Sequence, residues 1–173
     1  MIKRKALFLD RDGVINIDYG YVYQVENFVF VKGIFELIRQ ANLEEYLVII
    51  ATNQAGIARG FYTEKDFHKI TKWMKNELEK NGCHIDEVYY CPYHPEFGIG
   101  KYKKTSQCRK PNPGMLLKAK EEFNIDMQNS ILVGDSISDI EAAKSAKIGR
   151  KIFFGDQIID NAISVKSLLE INL

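Results

Sequence analysis

The chain has 173 residues, 46% of them hydrophobic, and its 24 lysines and arginines nearly balance 23 aspartates and glutamates. A chain of this length can bury one core without a disulfide framework or a structural metal, so we expect a single domain over residues 1–173. A net charge of +1 gives no broad field for a polyanion, and we expect neither nucleic acid nor a membrane as partner. No heptad repeat is present, and we expect a monomer.

The apolar runs along the chain are short. Ala6–Leu9 is too brief for an export signal or a membrane span, so we expect a cytoplasmic protein. It and Tyr46–Ala51 are continuous runs, typical of strands covered on both faces of a parallel sheet. Shorter runs of the same kind are Val88–Tyr90, Ile131–Val133 and Ile152–Phe154. Together these runs predict five strands.

Helical patterns fill the gaps between the predicted strands. An apolar residue recurs every three or four positions from Phe67 to Leu78, which predicts an amphipathic helix. Thr63 is placed to cap the start of this helix, and Gly82 stands just past its end. Weaker helical patterns cover Ile34–Ala41, Pro113–Phe123, Ile137–Ala146 and Val165–Ile171. The alternation predicts an α/β fold, a doubly wound (Rossmann-like) parallel sheet with helices on both faces.

Polar residues follow three of the predicted strands. The segment Asp10–Gly13 comes after the first, Thr52 after the second and Asp135 after the fourth. Because the carboxyl ends of parallel strands share one edge of a sheet, we expect these side chains to lie close together. The pair Arg109–Lys110 precedes the helix that leads into the fourth strand, which brings two cations to the same edge.

Four motifs stand in order at this edge: Asp10-Arg-Asp-Gly13, Thr52, Lys110 and Gly134-Asp-Ser-Ile-Ser-Asp139. Together they resemble the motifs of the haloacid dehalogenase superfamily of aspartate-nucleophile phosphatases. The resemblance implies that Asp10 is the nucleophile and Asp12 the general acid and base. It also implies that Thr52 and Lys110 stabilise the transferring phosphoryl group. Asp139 is open to two interpretations, a cap or ion pair within its helix or a direct role.

A magnesium ion follows from the same resemblance and from the charge. A phosphate monoester dianion beside Asp10 and Asp135 gathers about four negative charges, which Mg²⁺ and Lys110 reduce to about one. The resemblance implies that Asp10, Asp135 and the backbone carbonyl of Asp12 hold the ion, since Mg²⁺ prefers oxygen ligands. We therefore expect Mg²⁺ as the cofactor.

The segment Val14–Phe30 after the first predicted strand is about seventeen residues long, too short for an inserted cap domain, so we expect an open site. From Lys5 to about Phe154 the chain resembles the D-glycero-D-manno-heptose 1,7-bisphosphate 7-phosphatases. The resemblance rests on Asp10–Asn16, Asp18–Tyr21, Thr52–Gly60, Tyr90–Pro95 and Cys108–Met115. It implies removal of the 7-phosphate in heptose-nucleotide precursor synthesis, for a lipopolysaccharide core or a surface polysaccharide.

Three alternatives stay open, and one of them, a catalytically silent protein that binds Mg²⁺ and sugar phosphate, is opposed by the intact motif set. Histidinol-phosphate phosphatases share the motifs, because the same chemistry serves either alcohol leaving group. A fused dehydratase domain is frequent in that family, and we expect none here. The alternative of another class is a phosphoacceptor signalling domain, which also gathers carboxylates, Mg²⁺, Thr and Lys at one edge. Its acceptor should end a middle strand, whereas Asp10 ends the first.

The resemblance to the heptose enzymes also implies which residues hold the sugar bisphosphate. They are Asp18, Tyr19, Gly20, Tyr21, Asn53, Gln54, Ala55 and Arg109. The planar guanidinium of Arg109 suits the remote phosphate because it can donate two hydrogen bonds. Ser136 stands where many heptose enzymes carry a substrate-contacting Lys, and its hydroxyl can donate a hydrogen bond but no charge. Arg59 and Tyr23 are interpreted as surface residues, with contact to the substrate as the alternative for each.

A second departure concerns zinc. Relatives commonly hold a structural zinc on a Cys-x-His pair and a Cys-x-Cys pair, but the matching positions here read Cys91-x-Tyr93 and Ser106-x-Cys108. We therefore expect no structural zinc, although a three-ligand site with Cys91, His94 and Cys108 is an alternative. Three cysteines, an odd number, in a chain without a recognisable export signal lead us to expect reduced thiols, with a disulfide between Cys91 and Cys108 as the alternative that a cytosolic location disfavours.

Overall fold

The computed structural model describes residues 3–173. Its strands are β1 (Ala6–Leu9), β2 (Leu47–Asn53), β3 (Glu87–Cys91), β4 (Ile131–Gly134), β5 (Arg150–Phe154) and β6 (Ile163–Val165). Its α-helices are α1 (Ile34–Leu43), α2 (Ala55–Ala58), α3 (Glu64–Lys80), α4 (Gly114–Phe123) and α5 (Ile137–Ser145). Single 3₁₀ turns lie at Val25–Asn27, Gly100–Tyr102 and Leu168–Glu170. No helix of this described part is both long and apolar enough to cross a membrane.

The strands form one parallel sheet in the order β3-β2-β1-β4-β5-β6. The chain moves outward from β1 to β3 and then returns to place β4 on the other side of β1. This reversal opens a crevice at the carboxyl ends of β1 and β4, where doubly wound sheets bind their ligands. Asp10 and Asp135 follow these two strands, and the Asp10 N–H donates to the Val133 carbonyl at 3.1 Å. The predicted fold class is confirmed.

Helices cover both faces of the sheet, which explains why β1 is apolar throughout. Side chains alternate between the faces of a strand. Leu7 and Leu9 belong to the core beneath α1 and α3. Ala6 and Phe8 belong to the core beneath α4 and α5. All four side chains are completely buried, so the strand that precedes Asp10 is held rigidly from both sides.

The predicted helix Val165–Ile171 is wrong. The structure has strand β6 and a single 3₁₀ turn there, since Ile163–Val165 pairs with β5 at the edge of the sheet. The Ser167 hydroxyl accepts from the Leu169 N–H at 3.2 Å and so caps the turn. Leu168 and Ile171 are buried in the core that includes α1. The apolar spacing of this segment therefore reflects the burial of a short tail and only resembles the spacing of an amphipathic helix.

The predicted cap of α3 is confirmed and can be tested. The Thr63 hydroxyl accepts from the Asp66 N–H at 3.2 Å, and the Asp66 carboxylate accepts from the Thr63 N–H at 2.9 Å. We expect Thr63→Ala to lower the free energy of unfolding by about 1 kcal/mol, because it leaves N–H groups of the first turn unpaired. Urea unfolding measures this loss. Lys65→Ala, an exposed change in the same turn, is the matched control, and an equal loss in both variants would contradict the capping role.

Candidate active site

Three carboxylates meet at the crevice. Asp10 and Asp135 come from the ends of β1 and β4, and Asp139 comes from the first turn of α5. One oxygen of each lies within 4.8 Å of the others. Gly13 makes this approach possible, because its φ of +92° suits glycine and a Cβ at this position would overlap the Asp135 carboxylate. The motif glycine is therefore required by both backbone conformation and space.

Lys110 stands among these carboxylates. Its Nζ lies 2.9 Å from Asp10 Oδ1 and 2.5 Å from Asp139 Oδ1, and it donates to the Ala51 carbonyl at 2.7 Å. The Asp139 side chain is 1% exposed, whereas that of Asp10 is 13% exposed. Lys110 thus joins β1, β2 and α5, and Asp10 is the partner that faces the opening.

Asn53 fixes the backbone that carries this lysine. Its side-chain amide donates to the Lys110 carbonyl at 3.0 Å, and its side-chain oxygen accepts from the Lys110 N–H at 3.0 Å. The residue at the end of β2 therefore holds the segment before α4 in register with the sheet. The ammonium position is set by backbone contacts as well as by its ion pairs.

The buried charges shift one another's pKa values. Burial raises the pKa of Asp10 well above its usual range, although the Lys110 ammonium opposes the shift. Burial, with repulsion from Asp139, raises the pKa of Asp135 to about 6. Burial alone would lower the pKa of Lys110, but the Asp10 and Asp139 carboxylates outweigh it and the pKa is raised. Asp10 and Asp135 are thus costly to ionise without a nearby cation.

These residues fit a divalent cation. Three carboxylates face one ammonium, and Lys110 is closest to Asp139, so negative charge is left over on Asp10 and Asp135. Carboxylate oxygens are the ligands that Mg²⁺ takes in proteins. Asp10 and Asp135 could therefore hold Mg²⁺, with the neighbouring carbonyl of Asp12 as the further ligand that the sequence suggested.

The Asp12 side chain is anchored by its neighbours. Its Oδ1 accepts from Arg11 at 2.8 Å and from Asn16 at 3.0 Å, and its Oδ2 accepts from Gln54 at 2.9 Å. Arg11 is fully buried. Sequence reasoning missed Arg11 and Asn16 because a tight turn does not reveal which of its side chains point inward. The motif arginine, lying between two aspartates, was the available signal.

Gln54 belongs beneath the site. It was expected to hold substrate, but it is 1% exposed. Its amide also donates to Thr52 Oγ1 at 2.9 Å, and its side-chain oxygen accepts from the Tyr62 hydroxyl. The structure therefore makes the Gln54 side chain a support for Asp12 and Thr52 and places it outside the cavity wall. Tyr62, the outer member of this chain of hydrogen bonds, was missed.

An open cavity of about 470 Å³ lies above these residues. It is lined by Asp10, Asp12, Asp18, Gly20, Tyr21, Asn53, Ala55, Tyr62, Asp135, Ser136 and Ser138. Six of the residues expected to bind substrate are therefore on its wall. Tyr19 is 63% exposed and lies outside the wall, as does Arg109.

Ser136 is on the wall, but its hydroxyl is already engaged. It donates to the Asp139 carboxylate at 2.8 Å and accepts from the Asp139 N–H at 3.4 Å, which caps α5. It also lies 2.8 Å from the Ser138 hydroxyl. Asp139, left open by the sequence, both completes this cap and pairs with Lys110.

The expectation of reduced thiols is wrong for Cys91 and Cys108, which form a disulfide across a Cα–Cα distance of 5.5 Å. That expectation came from the presumed compartment, whereas β3 and the segment before Lys110 bring the two sulfurs together. His94 Nδ1 instead accepts from two N–H groups of its own loop, at 3.1 and 3.2 Å. Within residues 3–173, the aspartate trio is the one group of three potential ligands close enough to share a metal.

Comparison with known proteins gives consistent results. The family model described as polynucleotide kinase 3 phosphatase matches residues 10–156. The D-glycero-alpha-D-manno-heptose-1,7-bisphosphate 7-phosphatase of Burkholderia mallei is 53% identical over 156 residues, which are 90% of this chain and 82% of the relative. The D-glycero-beta-D-manno-heptose-1,7-bisphosphate 7-phosphatase of Vibrio cholerae is 49% identical over 149 residues, which are 86% of this chain and 80% of the relative.

A solved structure agrees with these relatives. The D,D-heptose 1.7-bisphosphate phosphatase of B. bronchiseptica, complexed with magnesium and phosphate, matches with a TM-score of 0.82 at 27% identity. The match covers 95% of this chain and 93% of that one. Fold, carboxylate edge and relatives together define a phosphatase of the haloacid dehalogenase superfamily. Within that superfamily the chain belongs to the heptose-1,7-bisphosphate 7-phosphatase family.

Asp139 provides a test of the lysine site. We expect Asp139→Asn to lower phosphatase activity roughly 10–100-fold, because the partner that orients an active-site group typically has an effect of this size. Release of p-nitrophenol from p-nitrophenyl phosphate measures the activity. Glu141→Gln, an exposed change on the same helix, is the control. Equal activity in the two variants would show that Asp139 only caps α5.

The cysteine pair provides a second test. We expect protein purified without chelators to hold no stoichiometric zinc, because the two sulfurs bond to each other and His94 is engaged elsewhere. Elemental analysis, combined with thiol titration before and after reduction, measures both properties. One zinc per chain that is lost in Cys91→Ser would contradict this prediction.

Proposed function

We propose that this protein removes the 7-phosphate from D-glycero-D-manno-heptose 1,7-bisphosphate, supplying heptose-nucleotide precursors of a lipopolysaccharide core or surface polysaccharide. The observation that carries the proposal is the Lys110 ammonium between Asp10 and Asp139, beside Asp135. The relatives named above act on this bisphosphate by their names. We propose further that residues 1–173 act as one domain, in the cytoplasm and as a monomer, on this small substrate.

Asp10 is the nucleophile in this proposal. Lys110 binds its Oδ1, which leaves Oδ2 to attack phosphorus as the bond between phosphorus and the C7 oxygen breaks. The Lys110 ammonium stabilises the charge on the phosphoryl oxygens. Thr52 Oγ1 accepts from Gln54 and donates only a long bond, 3.5 Å, to the Asn53 carbonyl, which it can exchange for a bond to a phosphoryl oxygen. The product of this step is an aspartyl phosphate.

Asp12 moves the protons in both halves of the reaction. In its protonated form it gives a proton to the leaving C7 alkoxide. As a carboxylate it then takes a proton from the water that attacks phosphorus, and this attack releases inorganic phosphate and restores Asp10. Its contacts with Arg11, Asn16 and Gln54 hold the carboxylate beside Asp10 for the second half.

We propose Mg²⁺ as the cofactor, held by Asp10, Asp135 and the Asp12 carbonyl, because their excess negative charge needs a hard cation. The ion supplies neutralising charge for the phosphoryl oxygens when it is bound. The B. bronchiseptica relative was crystallised with magnesium and phosphate.

The structure does not favour the alternative function, a phosphoacceptor signalling domain. The reason is the environment of Asp12 and not the strand position inferred from the sequence. β1 is first in the chain yet lies in the middle of the sheet, so strand position does not separate the two classes. The anchored Asp12 separates them, because a long-lived phosphoaspartate has no use for a second acid and base.

The substrate can be tested by Mg²⁺-dependent phosphate release. We expect rapid release from position 7 of the heptose bisphosphate, assayed as both anomers, and slow release from histidinol phosphate. Asp10→Asn should abolish release, at least about 1000-fold, because an amide cannot form the covalent bond. Steady-state kinetics of both proteins on both substrates, with circular dichroism to confirm folding, make the comparison.

The outcomes separate the candidate functions. A strong preference for histidinol phosphate would replace the heptose assignment and leave the chemistry intact. Full activity of a folded Asp10→Asn variant would contradict the mechanism itself.

A further inference from the structure

Two guanidinium groups stand beside the cavity without acidic partners. Arg59 follows α2 and Arg109 precedes Lys110, and both side chains are half-buried. Neither takes part in any ion pair of the described residues. Arg59 Nε is buried with no hydrogen-bond partner. Arg109 donates one long bond, 3.4 Å, to the Tyr93 carbonyl. Most of their donors are therefore uncommitted.

Arg59 lies at the cavity rim, and Arg109 is near enough for the charges of Arg59 and Tyr21 to act on it. The Arg59 guanidinium carbon lies 5.9 Å from the ring centre of Tyr21, which lines the cavity. It lies 4.1 Å from the ring centre of Phe97, which packs against it from the loop after β3. Ala55 also lines the cavity, and Arg59 lies four residues further on, on the same side of α2. Arg59 is thus positioned by rings and by a helix.

Their charges act on each other. The pKa of Arg109 is lowered by burial and then by the positive charge of Arg59. The pKa of His94 is lowered by burial and then by both arginines. A half-buried pair of like charges without a carboxylate is unfavourable alone, and an anion between them would remove the repulsion.

The wall of the cavity supplies no cation of its own. Its ionisable groups are four carboxyls and two tyrosines, at Asp10, Asp12, Asp18, Asp135, Tyr21 and Tyr62. Ser136 is on the wall, but its hydroxyl caps α5. Lys110 is buried beneath with Asp10 and Asp139. Among the described residues, the free cations nearest to a second phosphate distant from Asp10 are therefore the guanidinium groups of Arg59 and Arg109.

We propose that Arg59 is a specificity-determining residue, which holds the phosphate remote from Asp10 together with Arg109. This inference rests on the proposed function, because the bisphosphate supplies that second phosphate. The guanidinium forks suit a phosphate because each can donate two hydrogen bonds to it. Ser136 needs no positive charge if Arg59 provides it.

The test compares two substrates that differ only in the remote phosphate, heptose 1,7-bisphosphate and heptose 7-phosphate. We expect Arg59→Met to raise KM for the bisphosphate about tenfold or more, the effect of losing one charge-assisted hydrogen bond. The kcat for the bisphosphate and the KM for the monophosphate should stay within about twofold, because the rim is remote from the bond that breaks. Lys101→Met, a neighbouring surface cation, is the control and should leave the KM for both substrates unchanged.

Arg59→Lys keeps the charge and loses the fork, so it should raise KM for the bisphosphate by less than Arg59→Met does. This variant also measures the effect if Arg59→Met does not fold, which thermal unfolding will reveal. Equal rises of KM for the two substrates, or an unchanged KM for the bisphosphate in a folded variant, would overturn the inference alone. A wild-type protein inactive on the bisphosphate would overturn the proposed function, and the inference with it.

Discussion

The rest of the site depends on the buried ammonium of Lys110. It lies between Asp10 and Asp139 and donates to the carbonyl of Ala51, so it ties three elements of the sheet edge to the segment before α4. Removing one member of such a buried pair is strongly unfavourable, about 3–5 kcal/mol, because the other charge is left without compensation. In the proposed mechanism the same contact neutralises one oxygen of Asp10 and leaves the other to attack phosphorus. Stability and reactivity therefore share one interaction.

The four aspartates of the site differ by their partners. Asp139 is paired with Lys110 and capped into α5, which removes it from the cavity. Asp12 is anchored by Arg11, Asn16 and Gln54, whereas Asp10 and Asp135 keep uncompensated charge that suits a divalent cation. A phosphatase mechanism needs this division, since one carboxylate must attack while another moves protons. The guanidinium groups of Arg59 and Arg109, which we propose hold a second phosphate, are separate from these aspartates.

The sequence predicted the sheet and the meeting of the four motifs at one edge, because topology places the carboxyl ends of parallel strands together, whereas the roles of these residues came from the family resemblance. Asp10 directly follows β1 and Asp135 directly follows the neighbouring β4, so their proximity can be predicted without knowing where any side chain points. The supports could not be predicted in this way. Arg11 and Tyr62 act through side-chain orientation, and Cys91 and Cys108 meet because a loop returns to the end of β3. β6 was missed since its three residues carry too short a pattern.

The covalent step on Asp10 is the central claim, and rapid quenching tests it most directly. With p-nitrophenyl phosphate, whose leaving group needs no proton, the Asp12→Asn variant should still phosphorylate Asp10 but hydrolyse the aspartyl phosphate slowly, because no carboxylate takes the proton from water. Acid quenching within one turnover with Mg²⁺ and this substrate, followed by peptide mass spectrometry, should find one phosphoryl group on Asp10, sensitive to hydroxylamine. Phosphate release with inversion of configuration at phosphorus and no labelled Asp10 at any time would contradict the account, since water would then attack the substrate directly.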